Sequence, residues 1–255
     1  MNISKILLSN DDGNRAIGSR VLIQLLKDKY ELVVAGPKNQ QSSVGASITA
    51  GGFSWGVEEI DGVKTYWVDG TPSDSIELVY TQEKGFDLVI AGINWGPNIS
   101  TYLYRSGTYQ AVTCTLGFGL APYGMTLNWD VPSSLWRKDT DDVADISGFL
   151  DVPGKMAEHI FKKALEEDMW GAQILNINFP SEHTLKYKFT KLTQLHQDAY
   201  DRSWKPEDNM FYYKGRRVAS DPDENTDSKV LSEGSITITP CKFDFTDYDI
   251  LKRLG

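Results

Sequence analysis

Cysteine and histidine are nearly missing from this chain. Its 255 residues hold two cysteines, Cys114 and Cys241, and three histidines, His159, His183 and His196. Two cysteines build neither a disulfide framework nor a zinc site. Three scattered histidines give little to a mechanism that needs several imidazoles. Excess positive charge is missing too: 26 Lys and Arg stand against 35 Asp and Glu, a net charge of −9. That balance argues against broad electrostatic binding to nucleic acid or to an anionic membrane. An anionic substrate stays open, because a bound metal reverses the local sign. The opening "MNISKILLSNDDG" has only a short apolar run before its acids. It reads as neither a signal peptide nor a membrane span, and a cytoplasmic protein is expected. There is no internal repeat and no low-complexity tract. What is present is ordinary globular material, 40% hydrophobic and 24% charged, enough for a sizeable core.

Strand-like and helix-like runs alternate along the first 180 residues. "KILLS" (5–9) reads as a buried strand, and "AIGSRVLIQLLKDKY" sets Ile17, Val21, Leu22 and Leu25 on one helical face. "ELVVAGP" (31–37) is a second strand, completing a βαβ unit with an expected right-handed connection. "VKTYWVDG" (63–70) is a further strand. In "TPSDSIELVYTQEKG", Thr71 caps a helix, Pro72 suits its first turn and Asp74 adds an acid there. "FDLVIAGIN" (86–94) is the clearest central strand; a helix over 107–119, a strand over 120–127 and a polar loop over 128–142 follow. A helix near 153–167 and a strand at 172–178 extend the pattern. The alternation predicts a doubly wound, mostly parallel α/β core over 1–180. From about 181 the periodicity weakens, with strand-like pieces only at "NMFYYKG" (209–215) and "GSITITPC" (234–241). Residues 181–255 therefore read as a β-rich extension that completes the same overall domain, either an arm that packs on another subunit or a surface excursion.

Four polar stretches fall at carboxyl ends of these strands, where open α/β sheets bind ligands. The first is Asn10-Asp11-Asp12-Gly13, two adjacent carboxylates of the kind hard cations such as Mg²⁺, Mn²⁺ or Ca²⁺ require. The second, "GPKNQQSSVGAS" (36–47), offers Ser42 and Ser43. The third, "AGINWGPN" (91–98), offers Asn94 and Asn98. In the fourth, "RSGTYQAV" (105–112), Ser106, Gly107 and Thr108 put hydroxyls and free N–H groups at a helix start, a ready anion site. Each has a plain structural explanation: Asx turn, Ser/Gly loop, Gly/Asn turn, helix N-cap. Together, at consecutive ligand-facing ends of one sheet, they point to a carboxylate-held metal beside an anion pocket. That combination suits metal-assisted hydrolysis of a phosphate ester.

These blocks, with "DGTPSDSIELV" and the late "SEGSITITP", resemble in order and approximate spacing the motifs of the survival protein E (SurE) family from residue 5 to about 246. The resemblance implies a metal-dependent nucleotidase acting on nucleoside 5′- or 3′-monophosphates, and in some members on short polyphosphate. It implies Asp11, Asp12, Ser42 and Asn94 as ligands of Mg²⁺ or Mn²⁺, with Ca²⁺ able to stand in. Asn98, Ser106, Gly107 and Thr108 would hold the phosphate, and Asp11, Asp12 and Asn98 would be the catalytic set. A homodimer or homotetramer is also implied, with the C-terminal region shared between subunits. After Asn98 this chain departs from the family pattern. Ile99-Ser100-Thr101-Tyr102 replaces Leu-Gly-x-Asp, Arg105 replaces a Tyr, and Tyr109 and Gln110 replace small residues. Arg105 either adds charge to the phosphate site or points away. The alternatives are a nucleotide-binding protein without turnover and a phosphatase for another ester.

Overall fold

The computed structural model describes residues 2–135, 144–199, 204–207, 209–213 and 217–255. Residues 136–142 of the polar loop 128–142 and residues 214–215 of the strand-like piece 209–215 lie outside the described residues. Strands β1 (Lys5–Ser9), β2 (Glu31–Pro37), β3 (Trp55–Ile60), β4 (Val63–Val68), β5 (Leu88–Trp95), β6 (Gly124–Trp129), β7 (Ile174–Phe179), β8 (Tyr187–Phe189) and β11 (Ile236–Cys241) share one sheet. The strands β9 (Trp204–Glu207) and β10 (Met210–Tyr213) pair separately. The helices are α1 (Ile17–Leu26), α2 (Pro72–Gln82), α3 (Gly107–Gly117), α4 (Ser147–Phe149), α5 (Lys155–Glu166), α6 (His196–Ala199), α7 (Asp227–Ser232) and α8 (Tyr248–Leu254). Among the described residues no helix is long and apolar enough to cross a membrane.

The nine-stranded sheet runs β3-β4-β2-β1-β5-β6-β7-β11-β8. Six neighbouring pairs are parallel; only β3 with β4 and β7 with β11 are antiparallel. β1 is central and buried on both faces, which is why it reads as a continuous apolar run. Ile6 and Leu8 join one core layer with α1 and α5, and Leu7 joins the opposite layer with α2 and α3. The chain leaves β1 toward β2 on one side, while β5 lies on the other, so the strand order reverses between β1 and β5. Two successive crossovers then differ in hand. The steps β5 to β6 and β6 to β7 go the same way, yet α3 covers one face and α5 the other. The β6–α5–β7 unit thus has the hand opposite to β5–α3–β6 and β1–α1–β2, against the usual right-handed rule.

Local chemistry sets the helix positions. Thr71 and Asp74 form a reciprocal capping box at the start of α2, the Asp74 N–H reaching Thr71 Oγ1 at 3.2 Å and the Thr71 N–H reaching Asp74 Oδ2 at 2.8 Å. α1 lies so close to β5 that a Cβ on Gly18 would sit 1.8 Å from the Ile93 carbonyl oxygen. Four strands differ from the expectation: β8 and β9 carry too few residues to stand out in the irregular 181–233 stretch, and β3 and β6 differ for reasons of their own. β3 carries Gly56 and two glutamates at an exposed edge, and its signal is weak. β6 starts at Gly124 rather than 120 and runs on through Asn128 and Trp129, both buried. At the far edge, β11 lies antiparallel to β7 and parallel to β8, so these parts of 181–255 belong to the main sheet.

Candidate active site

The turn after β1 is itself built as an Asx turn. Asn10 Oδ1 accepts the Asp12 N–H at 3.2 Å, Asn10 Nδ2 donates to Ser19 Oγ at 3.3 Å, and Ser19 Oγ donates to the Gly13 carbonyl at 2.9 Å. α1 therefore locks the turn, and both carboxylates are held under the surface: Asp11 is 4% exposed and Asp12 7%. Trp95 N–H donates to Asp12 Oδ2 at 2.7 Å and Gln40 Nε2 to Asp12 Oδ1 at 3.2 Å. The double acid thus sits at the point where the strand order reverses, touched from β5 and from the loop after β2.

The start of α3 closes on it. Ser106 caps the helix, its Oγ accepting the Tyr109 N–H at 3.0 Å. The Thr108 hydroxyl donates to Asp11 Oδ1. Gly107 allows this approach: a Cβ there would lie 2.8 Å from Asp11 Cβ and 2.9 Å from Asp11 Oδ2. Burial, with the Asp12 charge second, pushes the Asp11 carboxyl up to about 7, while the Thr108 hydrogen bonds oppose the rise. A pair of buried acids in that condition gains from a cation or from the positive end of a helix dipole.

Asn98 stands beside Thr108 and is fixed by a polar network on the same face of the sheet. Asn98 Nδ2 donates to Asn128 Oδ1 at 2.7 Å and lies 3.5 Å from Thr108 Oγ1. Its backbone N–H donates to Asn178 Oδ1 at 2.8 Å, and its carbonyl accepts Asn176 Nδ2 at 2.9 Å and Asn178 Nδ2 at 3.1 Å. Thr126 Oγ1 in turn donates to Asn176 Oδ1 at 2.7 Å.

Of the other expected site residues, Asn94 is half-buried beside Trp95, with Nδ2 spent on the Gly96 carbonyl at 2.7 Å, which leaves Oδ1 as its ligand-capable atom. A register shift between Ala91 and Asn94 sets Asn94 opposite Asn128. Ser42 is exposed in the loop after β2, and that loop is tied to the site where the Gln41 N–H reaches the Asp11 carbonyl at 2.7 Å. Arg105 lies over the Tyr102 ring, 4.9 Å from its centroid, and Nη1 donates to Tyr102 Oη at 3.0 Å. Among the described residues no group of three or more His, Cys, Asp and Glu side chains forms a metal cluster. The four residues expected to hold a metal would offer two carboxylates, a hydroxyl and an amide carbonyl.

The family profile of the survival protein SurE matches residues 6–202. This chain belongs to the SurE family. A "5′-nucleotidase SurE" from a Thermoanaerobacter species is 32% identical over 98% of this chain and 97% of its own length. One from Syntrophomonas wolfei is 31% identical over 98% and 92%. The crystal structure of the SurE protein from Aquifex aeolicus superposes with a TM-score of 0.73 at 26% identity, covering 98% of each chain.

This SurE family member also carries functional supports that the sequence motifs do not announce. Gln40 in the loop after β2 touches Asp12, and Asn128, Asn176 and Asn178 brace Asn98; the signal of the three asparagines is polar residues at every second position of otherwise apolar strands, "TLN" in β6 and "NIN" in β7, continued by "TIT" in β11. Asp227 of α7 is fully buried and accepts three backbone N–H groups, from Ser100 at 2.7 Å, Thr193 at 2.9 Å and Ser228 at 2.8 Å. Burial raises its carboxyl, and those three bonds pull it back. It holds Ser100, two residues after Asn98, in a left-handed conformation at φ 60°. Asp227→Asn turns one acceptor into a donor facing N–H groups. It is expected to lose about 2–3 kcal/mol of stability in denaturant unfolding. An unchanged unfolding midpoint would remove the clamp.

Proposed function

We propose that this protein is a metal-dependent phosphomonoesterase that releases phosphate from nucleoside monophosphates, 5′-monophosphates first. The carrying observation is the contact of the α3 start with the double acid: Thr108 on Asp11, with Gly107 packed against it and Asn98 alongside. The relatives named 5′-nucleotidase over nearly the whole chain support the same reading.

Asp11, Asp12, Ser42 and Asn94 would hold one divalent cation, Mg²⁺ or Mn²⁺. The donor atoms would all be oxygen, and the burial and the Asp12 charge that raise the Asp11 carboxyl support a place for added positive charge. A cation bound there supplies Lewis-acid polarisation of a phosphoryl oxygen. The rest of the chemistry belongs to the chain. The N–H of Gly107, at the positive end of α3, and the Ser106 hydroxyl would meet the phosphoryl oxygens, and Thr108, whose hydroxyl and N–H are held by Asp11, would turn to the phosphate as that carboxylate is taken over by a cation. Asn98, held rigid by Asn128, Asn176 and Asn178, fixes the phosphate's orientation before reaction, so no reorganisation is needed as charge develops. Asp11 orients the attacking water, and the nucleoside leaves as its alcohol.

The same proposal covers assembly and location. α8 buries none of its residues, and Leu251, Leu254 and the preceding Phe245 are exposed, which supports docking of this end on a second copy in a homodimer or homotetramer. Both cysteines are free, which suits a reducing cytoplasm. Phosphate release from a panel of mononucleotides, with metal present and with metal removed, tests the catalytic reading.

A further inference from the structure

The ion pair of Asp130 and Arg217 is not used by any step above. Asp130 follows β6, and its N–H continues the ladder to the Phe179 carbonyl at 2.8 Å. Side chains alternate along a strand, so Asp130 shares the face of Thr126 and Asn128, the face that carries the Asn98 network. It lies two residues, about 7 Å, beyond Asn128 toward the ligand-facing edge. Arg217 Nη2 donates to Asp130 Oδ2 at 2.5 Å.

The other arm of the guanidinium is unusual. Arg217 Nη1 is shielded from solvent and, among the described residues, has no hydrogen-bond partner. A charged donor left in that condition is costly unless something accepts from it. The backbone beside it is anchored over the site: the Val218 N–H donates to the Ala199 carbonyl at 2.8 Å, and Ala199 packs with Ile99 and Leu231. Ile99 is the residue after Asn98. Asp130, directly after β6, ties the guanidinium, and the Ala199 carbonyl of α6 ties the next residue's backbone, so Arg217 is carried between the end of the strand that bears Asn128 and the packing around Ile99. A planar fork with one arm committed to a carboxylate and one arm open matches a phosphoryl oxygen better than an ammonium would.

We propose that Arg217 is a phosphate-binding residue of this site, its Nη1 taking an oxygen of the phosphoryl group that Asn98 and the α3 start hold, with Asp130 as the positioning residue for the fork. The inference rests on the phosphatase reading of the same site. It adds a cation from the C-terminal third that none of the four sequence blocks contains.

The test is calorimetric titration of the full-length protein with inorganic phosphate in the presence of Mg²⁺. Mn²⁺ affinity and thermal unfolding are followed in parallel. Arg217→Ala is expected to weaken phosphate binding about 10- to 100-fold, the loss of a hydrogen bond to a charged group. Mn²⁺ affinity stays as in the wild type. Arg217→Gln keeps a hydrogen bond to Asp130 without the charge, and should lose a similar factor; it decides the matter where the alanine variant does not fold. Phosphate affinity unchanged in a folded variant overturns the inference and leaves Arg217 a structural partner of Asp130. A wild-type protein that binds no phosphate overturns it as well. Binding needs no turnover, so the two readings fail separately. A wild type that binds phosphate but hydrolyses no nucleotide removes the nucleotidase reading alone.

Discussion

Asp12→Asn is expected to reduce metal-dependent phosphate release by more than about 100-fold, beyond the usual loss for removing an outer-shell partner of a metal ligand. The physical reason is charge, not shape. Asparagine fills the same volume, and its one carbonyl oxygen can still accept either the Trp95 N–H or the Gln40 amide, the two donors now shared between Asp12 Oδ2 and Oδ1. One hydrogen bond is lost, about 1 kcal/mol. Against that, the substitution removes the like charge that helps push Asp11 upward. The folded state should therefore survive, with a melting temperature within about 4 °C of the wild type. Activity assays with Mn²⁺ restored and thermal unfolding without metal read the two effects independently. Full activity in the variant would remove Asp12 from the ligand set. A collapse of stability with no separate effect on activity would make it a structural acid.

Gly107→Ala should lower kcat/KM by about 100-fold, the scale on which a displacement of about 1 Å near the reacting groups acts. The added Cβ would meet Asp11 Cβ at 2.8 Å and Oδ2 at 2.9 Å. Asp11 is short, buried and tied to Thr108, so it has no flexible end to swing away. Either α3 backs off from the double acid or Asp11 leaves its place. Both open the gap between the acid pair and the helix start that together form the site. The forced overlap should also cost about 1–3 kcal/mol in denaturant unfolding, offset only in part by the helix propensity of alanine over glycine. Steady-state kinetics beside an unfolding curve reads both effects. A variant with wild-type kinetics would mean that the close approach of α3 to Asp11 has no catalytic part.

The core of the fold was legible because its strands are buried on both sides and its helices on one. β1 and β2 fall on 5–9 and 31–37 as the apolar runs predict, and the Thr71 and Asp74 cap on α2 follows from the residues alone. What the pattern missed has specific causes. β3 is half-exposed and carries Gly56, Glu58 and Glu59, so no apolar signal survives. β6 was placed too early because Leu120 and Ala121 are apolar and buried although they precede the strand, and because Asn128 inside it reads as loop. Asn128, Asn176 and Asn178 can be fully buried because Asn128 Nδ2 donates to Asn176 Oδ1 and to the Ile177 carbonyl, and Asn178 Nδ2 to the Asn98 carbonyl, contacts between segments rather than a property of any one of them. The hand of the β6–α5–β7 crossover is likewise a relation between layers. In the site, the residues read from motifs were the ones that act at the end of a strand or the start of a helix. Of the residues that brace them, Gln40 sits inside the block 36–47 but without a signal of its own, while Asp227 and the asparagine ladder lie far away in sequence, and only the folded chain brings them to Asp12 and Asn98.

The most direct test strips the purified wild-type protein with chelator and assays phosphate release from nucleoside 5′- and 3′-monophosphates, with inorganic polyphosphate and a sugar phosphate alongside. Mg²⁺ or Mn²⁺ is then restored. The expected result is release from 5′-mononucleotides that disappears with the metal and returns with it. No metal-dependent release from any mononucleotide would contradict the assignment of Asp11, Asp12, Asn94 and the α3 start to a nucleotidase site.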